Sequence, residues 1–188
     1  MSRSATAITR LTVGEFTVYD IPEGRADLVR GELRMIPPPS GRHGALVYAI
    51  AKRLGDHVES RELGAVLIGA SFELLALPRT VRAPDVAFVR AERLSAGGIG
   101  AGFMQVAPDL VVEIISPSET RARLREKLDD YRASAISLVW LIDPRTRGVT
   151  VIEADHPVRR LSDEEILTGG DVLPGFACEV AALFVGIA

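Results

Sequence analysis

Apolar side chains recur every four positions in residues 41–58, where Leu46, Ile50, Leu54 and Val58 mark the period. Side chains at this spacing lie on one face of a helix, because an α-helix turns about once every 3.6 residues. The pattern therefore predicts an amphipathic helix over 41–58 with one buried face.

Shorter apolar runs bounded by turn residues predict β-strands. Six strands are predicted, at residues 65–68, 72–77, 85–89, 110–115, 138–142 and 149–153. The run 110–115, LVVEII, is apolar at both alternating positions, which is typical of a central strand covered on both faces. Residues 27–36 read as a tight hairpin turning at Arg30-Gly31, with glycine at a positive φ.

A second helix is predicted over residues 118–134, with Ser118 as its N-cap. Its apolar face is set by Leu124, Leu128 and Tyr131. Lys127 lies about 40° from Tyr131 on the helical wheel, at the edge of this face. Four charged residues are predicted to point toward solvent: Arg123, Glu126, Asp129 and Asp130.

These elements predict one α/β domain built on a mixed, strongly bent β-sheet that is flanked by the two helices. A chain of 188 residues suits a single core, which we place at residues 11–188, after a flexible N-terminal arm at residues 1–10. The glycine-rich segment 96–102 lacks the spacing of a phosphate-binding loop and is predicted to be a mobile surface loop.

Composition narrows the class of protein. A net charge of −3 gives no overall basic surface for nucleic acid, although residues 121–132 contain a local cluster of arginines. The single cysteine, Cys178, cannot form an intramolecular disulfide, which indicates a reducing compartment. Without a signal-peptide pattern or a membrane-spanning run, we expect a cytoplasmic protein with no membrane contact.

The candidate chemistry starts from Glu113, a charge inside the otherwise apolar run 110–115. A carboxylate in a doubly covered strand must be neutralised, paired or bound to a cation. Asp85 begins another predicted strand. If the two carboxylates lie about 5 Å apart, their repulsion is about 3 kcal/mol at an effective dielectric of about 20. Such a pair suits Mg²⁺ or Mn²⁺, with Lys127 offsetting the negative charge.

Each of these residues also has an ordinary structural interpretation. Glu113 fits a carboxylate paired with an arginine, and Asp85 fits a turn or cap residue after a proline. Lys127 fits a surface lysine with a buried stem. His43 fits a solvated residue of the first helical turn, and Tyr131 a core aromatic. Only the combination favours a site.

In order along the chain, these segments resemble the Uma-two family of restriction endonuclease-like proteins, within the PD-(D/E)XK nuclease-like superfamily. The resemblance spans roughly residues 11–153. The residues that carry it are DLVRGEL (27–33), His43, RAPDVAFV (82–89), PDLVVEIISPS (108–118), Lys127 with Tyr131, and VWLIDP (139–144).

The resemblance implies a restriction-endonuclease-like fold and a Mg²⁺- or Mn²⁺-dependent endonuclease. Asp85 and Glu113 would be its acidic residues, and the Ile114 carbonyl a further metal ligand. The usual lysine position is Ile115 in this chain, and Lys127 on the following helix replaces it. The supporting candidates are Glu32, His43, Ser116 and Tyr131. Ala26-Asp27 departs from the aromatic-glutamate pair of that hairpin.

The expected substrate is nucleic acid, with DNA favoured, and cleavage of both strands would require a two-fold homodimer. Two other functions stay open. The first is an inactive nuclease-fold module that binds nucleic acid or serves as an accessory protein, consistent with the acidic pI and the displaced lysine. The second is hydrolysis of another phosphate ester, such as a nucleotide or RNA.

Overall fold

The computed structural model describes residues 10–21, 25–94 and 98–187. The expected flexible arm at residues 1–10 therefore lies outside the described residues apart from Arg10, and so does part of the expected loop at 96–102. The helices are α1 (Val13–Thr17), α2 (Gly41–Glu59) and α3 (Arg121–Ala133). The strands are β1 (Arg25–Val29), β2 (Glu32–Ile36), β3 (Gly64–Ile68), β4 (Phe72–Glu73), β5 (Val81–Arg82), β6 (Val86–Arg90), β7 (Leu110–Ile114), β8 (Leu138–Asp143), β9 (Gly148–Glu153), β10 (Arg159–Leu161), β11 (Ile166–Gly169) and β12 (Leu173–Glu179).

The main sheet has six strands in the order β10-β9-β8-β7-β6-β3. Strand β7 lies inside the sheet and pairs in parallel with β8, but antiparallel with β6. All five residues of β7 are buried, as its continuous apolar pattern predicts. The expected α/β class with a mixed sheet is therefore confirmed.

A smaller sheet with the order β2-β1-β5-β4 lies beside the main sheet. Strands β1 and β2 form the predicted hairpin, in which Val29 faces Glu32 across the turn. Arg30 has φ 51° and Gly31 φ 86°, so both turn residues are left-handed. This geometry suits a two-residue hairpin loop because it follows the twist of the strands. The turn residues predicted from the sequence are confirmed.

Helices α2 and α3 cover opposite faces of the main sheet. Helix α2 contributes its buried side chains, Leu46 and Ile50 among them, to a core that also contains Trp140. Helix α3 contributes Tyr131 to a second core on the other face, with Val111 and Leu141. Alternate residues of β7 thus enter different cores, because side chains along a strand point to alternate faces. Glu113 lies on the α3 face.

Three local predictions were wrong. Helix α3 begins at Arg121 instead of near Ser118, because Thr120 is the N-cap and its side chain accepts from the Arg123 N–H. Asp130 is fully buried instead of solvent-facing. The strand expected at 72–77 extends over Phe72–Glu73 alone. Beyond the predicted strands, the C-terminal part adds β10, β11 and β12. No described helix has the length and apolarity required to cross a bilayer.

Candidate functional site

The pairing of β6 with β7 brings two acidic residues together. Val86 lies opposite Val112, and continuing this antiparallel register by one residue places Asp85 opposite Glu113. Residues opposite each other share a face of the sheet. The neighbouring residues on that face, Ala87 and Val111, belong to the core beneath α3. Both carboxylates therefore lie at the edge of the α3 core.

A cleft of about 280 Å³ opens above this point. Its lining includes Asp85, Glu113, Ile114 and Lys127, the four residues expected to form the site. The side chains of Glu113 and Lys127 are 7% and 15% exposed, so they lie at the floor of the cleft. The structure thus brings the expected site residues into one concave surface, while their catalytic roles stay predictions.

The Glu113 carboxylate is held by two donors from α3. The Lys127 ammonium lies 3.0 Å from Oε2, and the Tyr131 hydroxyl donates to Oε1. Burial raises the pKa of Glu113 and nearby Asp85 adds to this, whereas Lys127 and Tyr131 lower it; the net shift is upward. The upward shift means that burial disfavours the charged carboxylate, so a cation bound at this point would stabilise it.

Lys127 remains a protonated ammonium in this environment. Burial lowers its pKa, but the carboxylates of Glu113, Asp27 and Glu119 outweigh burial and raise the pKa above its ordinary value. The Glu119 carboxylate lies 3.5 Å from Nζ. The position of Lys127 at the edge of the helical face allows its side chain to reach the floor of the cleft. The group can therefore donate hydrogen bonds and supply positive charge.

Asp85 is fixed by one donor from the sheet and one contact from α2. The Ile114 N–H donates to Oδ2 at 2.8 Å, and Nε2 of His43 lies 3.0 Å from Oδ1. His43 reaches this point because Ser40 caps α2 through the His43 N–H, which places the first helical turn beside the cleft. The solvated interpretation of His43 was therefore wrong.

A buried ion network beside the cleft was missed by the sequence reasoning. Arg82 donates to the carboxylates of Asp27 at 2.9 Å and of Asp130 at 3.0 Å, and all three side chains are nearly inaccessible. Asp27 also accepts from the Ala83 N–H at 3.0 Å. One signal was present in the sequence, because Arg82 follows Val81 shortly before the PD motif at Asp85.

The remaining supporting candidates have different outcomes. Glu32 lies outside the cleft lining and pairs with Arg34 at 2.9 Å, and its supporting role stays a prediction. Ser116 does line the cleft, and its hydroxyl lies 2.9 Å from that of Ser118. Tyr131, expected from spacing to be a core aromatic, is buried but also contacts Glu113 directly.

The oxygen atoms at the floor of the cleft suit a hard cation that takes only a few of its ligands from the protein. Among the described residues, no group of three or more His, Cys, Asp or Glu side chains could hold a metal ion. Mg²⁺ does not require such a group, since it commonly binds one or two carboxylates and keeps water or phosphate oxygens as its other ligands. Asp85, Glu113 and the Ile114 carbonyl fit this mode of binding.

Comparison with known proteins identifies the family of the chain and a similar fold. The model of the Uma2 family, described as "Putative restriction endonuclease", matches residues 13–181. The fold is similar to the crystal structure of "a putative nuclease belonging to DUF820" from Anabaena variabilis, with a TM-score of 0.81 and 18% identity over 95% of this chain and 99% of that chain. No curated protein matches. The family match extends over most of the sequence and confirms the resemblance in the motifs, so this chain belongs to the Uma2 (Uma-two) family.

Proposed function

We propose that this protein is a metal-dependent endonuclease that hydrolyses phosphodiester bonds of nucleic acid, with DNA as the favoured substrate. The observation that carries the proposal is the Lys127 ammonium 3.0 Å from the Glu113 carboxylate, beside Asp85 in one cleft. Two carboxylates and a protonated amine on a rigid sheet and helix can hold a divalent ion and stabilise the negative charge that develops in metal-dependent phosphodiester hydrolysis. Membership of the Uma2 family supports the same reaction class.

The carboxylates of Asp85 and Glu113, together with the Ile114 carbonyl, would hold Mg²⁺ or Mn²⁺. When bound, the ion would neutralise phosphate charge and make an attacking water more acidic. Without a cation, two carboxylates at the floor would repel a phosphodiester, since like charges in a partly desolvated site interact strongly. This repulsion is why the proposal includes a metal.

The other side chains and backbone groups at the site have separate roles. Lys127 donates to the attacking water or to a phosphate oxygen, where its charge stabilises the negative charge that develops in the transition state. The Tyr131 hydroxyl and the Ile114 N–H orient Glu113 and Asp85 respectively. His43 holds the other oxygen of Asp85. These contacts fix both carboxylates before substrate binds, which lowers the reorganisation required during the reaction.

The decisive experiment measures nicking of supercoiled plasmid over a Mg²⁺ titration. We expect wild-type protein to nick plasmid with Mg²⁺ or Mn²⁺ and to lose this activity with EDTA. Asp85→Asn keeps the shape of the side chain and an acceptor for Ile114, but removes its charge. We expect the half-maximal Mg²⁺ concentration to rise about 10-fold or more and the rate to fall, because the ion loses a charged ligand.

Asp155→Asn is the matched control, because Asp155 is exposed and outside the cleft. Equal Mg²⁺ titrations for Asp85→Asn and wild type would reject the site assignment. If wild-type protein binds plasmid but does not nick it with either Mg²⁺ or Mn²⁺, the inactive binding module is favoured. If the protein hydrolyses a small phosphodiester or a nucleotide but does not cleave plasmid, hydrolysis of another phosphate ester is favoured.

We further propose that the active form is a two-fold homodimer. One cleft holds one set of catalytic groups. The two antiparallel strands of a DNA duplex are related by a two-fold axis, so cleaving both of them requires two such sets. The expected result is a dimer mass by light scattering and linear plasmid among the early products. A monomer that releases only nicked circles would contradict this part of the proposal and leave the reaction itself unaffected.

A further inference from the structure

The charge of the cleft differs in sign from the charge of the whole chain. Its described lining contains seven basic side chains and five acidic ones. Over the complete sequence, 25 acidic residues outnumber 22 basic ones. Basic side chains are thus concentrated around the candidate site, although the overall charge is −3. Such local concentration is what binding of a polyanion requires.

Several of the basic residues are already engaged inside the protein. Arg82 is enclosed between Asp27 and Asp130, and Lys127 contacts Glu113. Arg34 pairs with Glu32, and Arg25 donates to the Ala83 carbonyl at 3.1 Å. These contacts leave three exposed arginines of the lining: Arg42 on α2, Arg123 on α3 and Arg145 after β8.

The rim arginines, Arg42, Arg123 and Arg145, retain donors for a ligand. Arg123 makes no ion pair or side-chain hydrogen bond with any residue that the structure describes. Arg145 is 71% exposed, and its Nε and Nη2 donate to Asp143 at 3.3 Å, so among the described residues its Nη1 keeps its donors for a ligand. Arg42 donates from Nη2 alone, to the Pro144 carbonyl at 2.6 Å, which places it beside Arg145.

We propose that the rim arginines bind the backbone phosphates that flank the cleaved phosphodiester. The inference rests on the proposed nuclease function and adds the residues that position its substrate. Guanidinium groups suit this task because their planar N–H donors match two phosphate oxygens at once. Three such groups on three separate elements around one cleft fit a ligand with repeated anionic groups better than a single small anion.

Salt dependence of binding tests this inference directly. Each phosphate contact by a cation releases counterions, so the slope of log affinity against log salt reports the number of contacts. We would measure anisotropy of a fluorescent DNA duplex in Mg²⁺, with the Glu113→Gln protein as the parent to suppress cleavage. Arg42→Ala, Arg123→Ala and Arg145→Ala are added singly. We expect each to reduce the steepness of the slope by about 0.9.

The control is Arg160→Ala, because Arg160 is exposed on β10, lies outside the cleft and makes no ion pair among the described residues. Its slope should equal that of the parent. Arg160→Ala lowering the slope as much as Arg123→Ala would overturn the inference, and so would unchanged slopes for Arg123→Ala and Arg145→Ala. A parent without salt-dependent binding would also overturn it.

Failure of the inference and failure of the proposed function give different results. Unchanged slopes together with metal-dependent plasmid nicking by wild type would reject the rim arginines and retain the nuclease. Reduced slopes without nicking would retain the phosphate contacts and reject catalysis. Far-ultraviolet circular dichroism of each variant checks folding, and the exposure of the three side chains indicates that the fold tolerates their truncation.

Discussion

Replacing Lys127 with methionine is expected to lower the rate of plasmid nicking by about 10²- to 10³-fold, the usual effect of removing one preorganised transition-state donor. Methionine retains an unbranched stem of similar length but no donor and no charge. Its site is the floor of the cleft, where low exposure strengthens electrostatic interactions. The measurement is the initial rate at saturating Mg²⁺, which separates loss of the donor from weaker metal binding.

The sequence offers a matched control, since its two lysines are Lys127 and Lys52. Lys52 is exposed on α2 and pairs with Asp56 at 2.6 Å, outside the cleft. Lys52→Met should therefore nick plasmid at the wild-type rate. Lys127→Arg tests geometry at constant charge, and we expect it to remain impaired because a planar guanidinium does not replace a compact ammonium. Full activity of Lys127→Met would remove this residue from the mechanism.

Lys127 and Asp130 show how far a helical pattern predicts a site. The wheel places Lys127 at the edge of the apolar face, and its ammonium does reach Glu113. The same wheel predicts that Asp130 points toward solvent, but Asp130 is fully buried. A helical wheel accounts for one neighbour of the helix, which here is the main sheet. Arg30 from the β1–β2 turn and Arg82 from β5 contact a second side of the helix and enclose Asp130.

The hairpin turn and His43 show the same difference between features that local sequence determines and contacts between remote segments. The turn at Arg30-Gly31 could be predicted because φ preferences are local. The contact of His43 with Asp85 joins residues 42 positions apart. Its existence depends on where the start of α2 lies relative to β6, and no periodicity within one segment encodes that placement. Sequence patterns thus predicted the two long helices and most strands of the main sheet, while contacts between remote elements required the structure.

The Arg82 network connects the segments that carry the proposed catalytic residues. Arg82 and Ala83 immediately precede Pro84 and Asp85, and both bond to Asp27 on β1. Asp130, a second buried partner of Arg82, lies three residues after Lys127 on α3. Burial lowers the pKa of Arg82, but Asp27 and Asp130 together raise it, so the guanidinium stays charged. The network therefore joins β1, the PD segment and α3 through buried charges.

Arg82→Met is expected to reduce the free energy of unfolding by about 3–5 kcal/mol, because it removes the buried ion pair of Asp27 and, among the described residues, leaves Asp130 with Arg30 alone. Urea titration gives this value, with Arg160→Met as the exposed control. If unpaired charge is the cause, Asp27→Asn and Asp130→Asn added to Arg82→Met should recover most of the loss, since the amides keep acceptors for Ala83 and Arg30. A triple variant as unstable as Arg82→Met would instead attribute the loss to the donors and packing of the guanidinium.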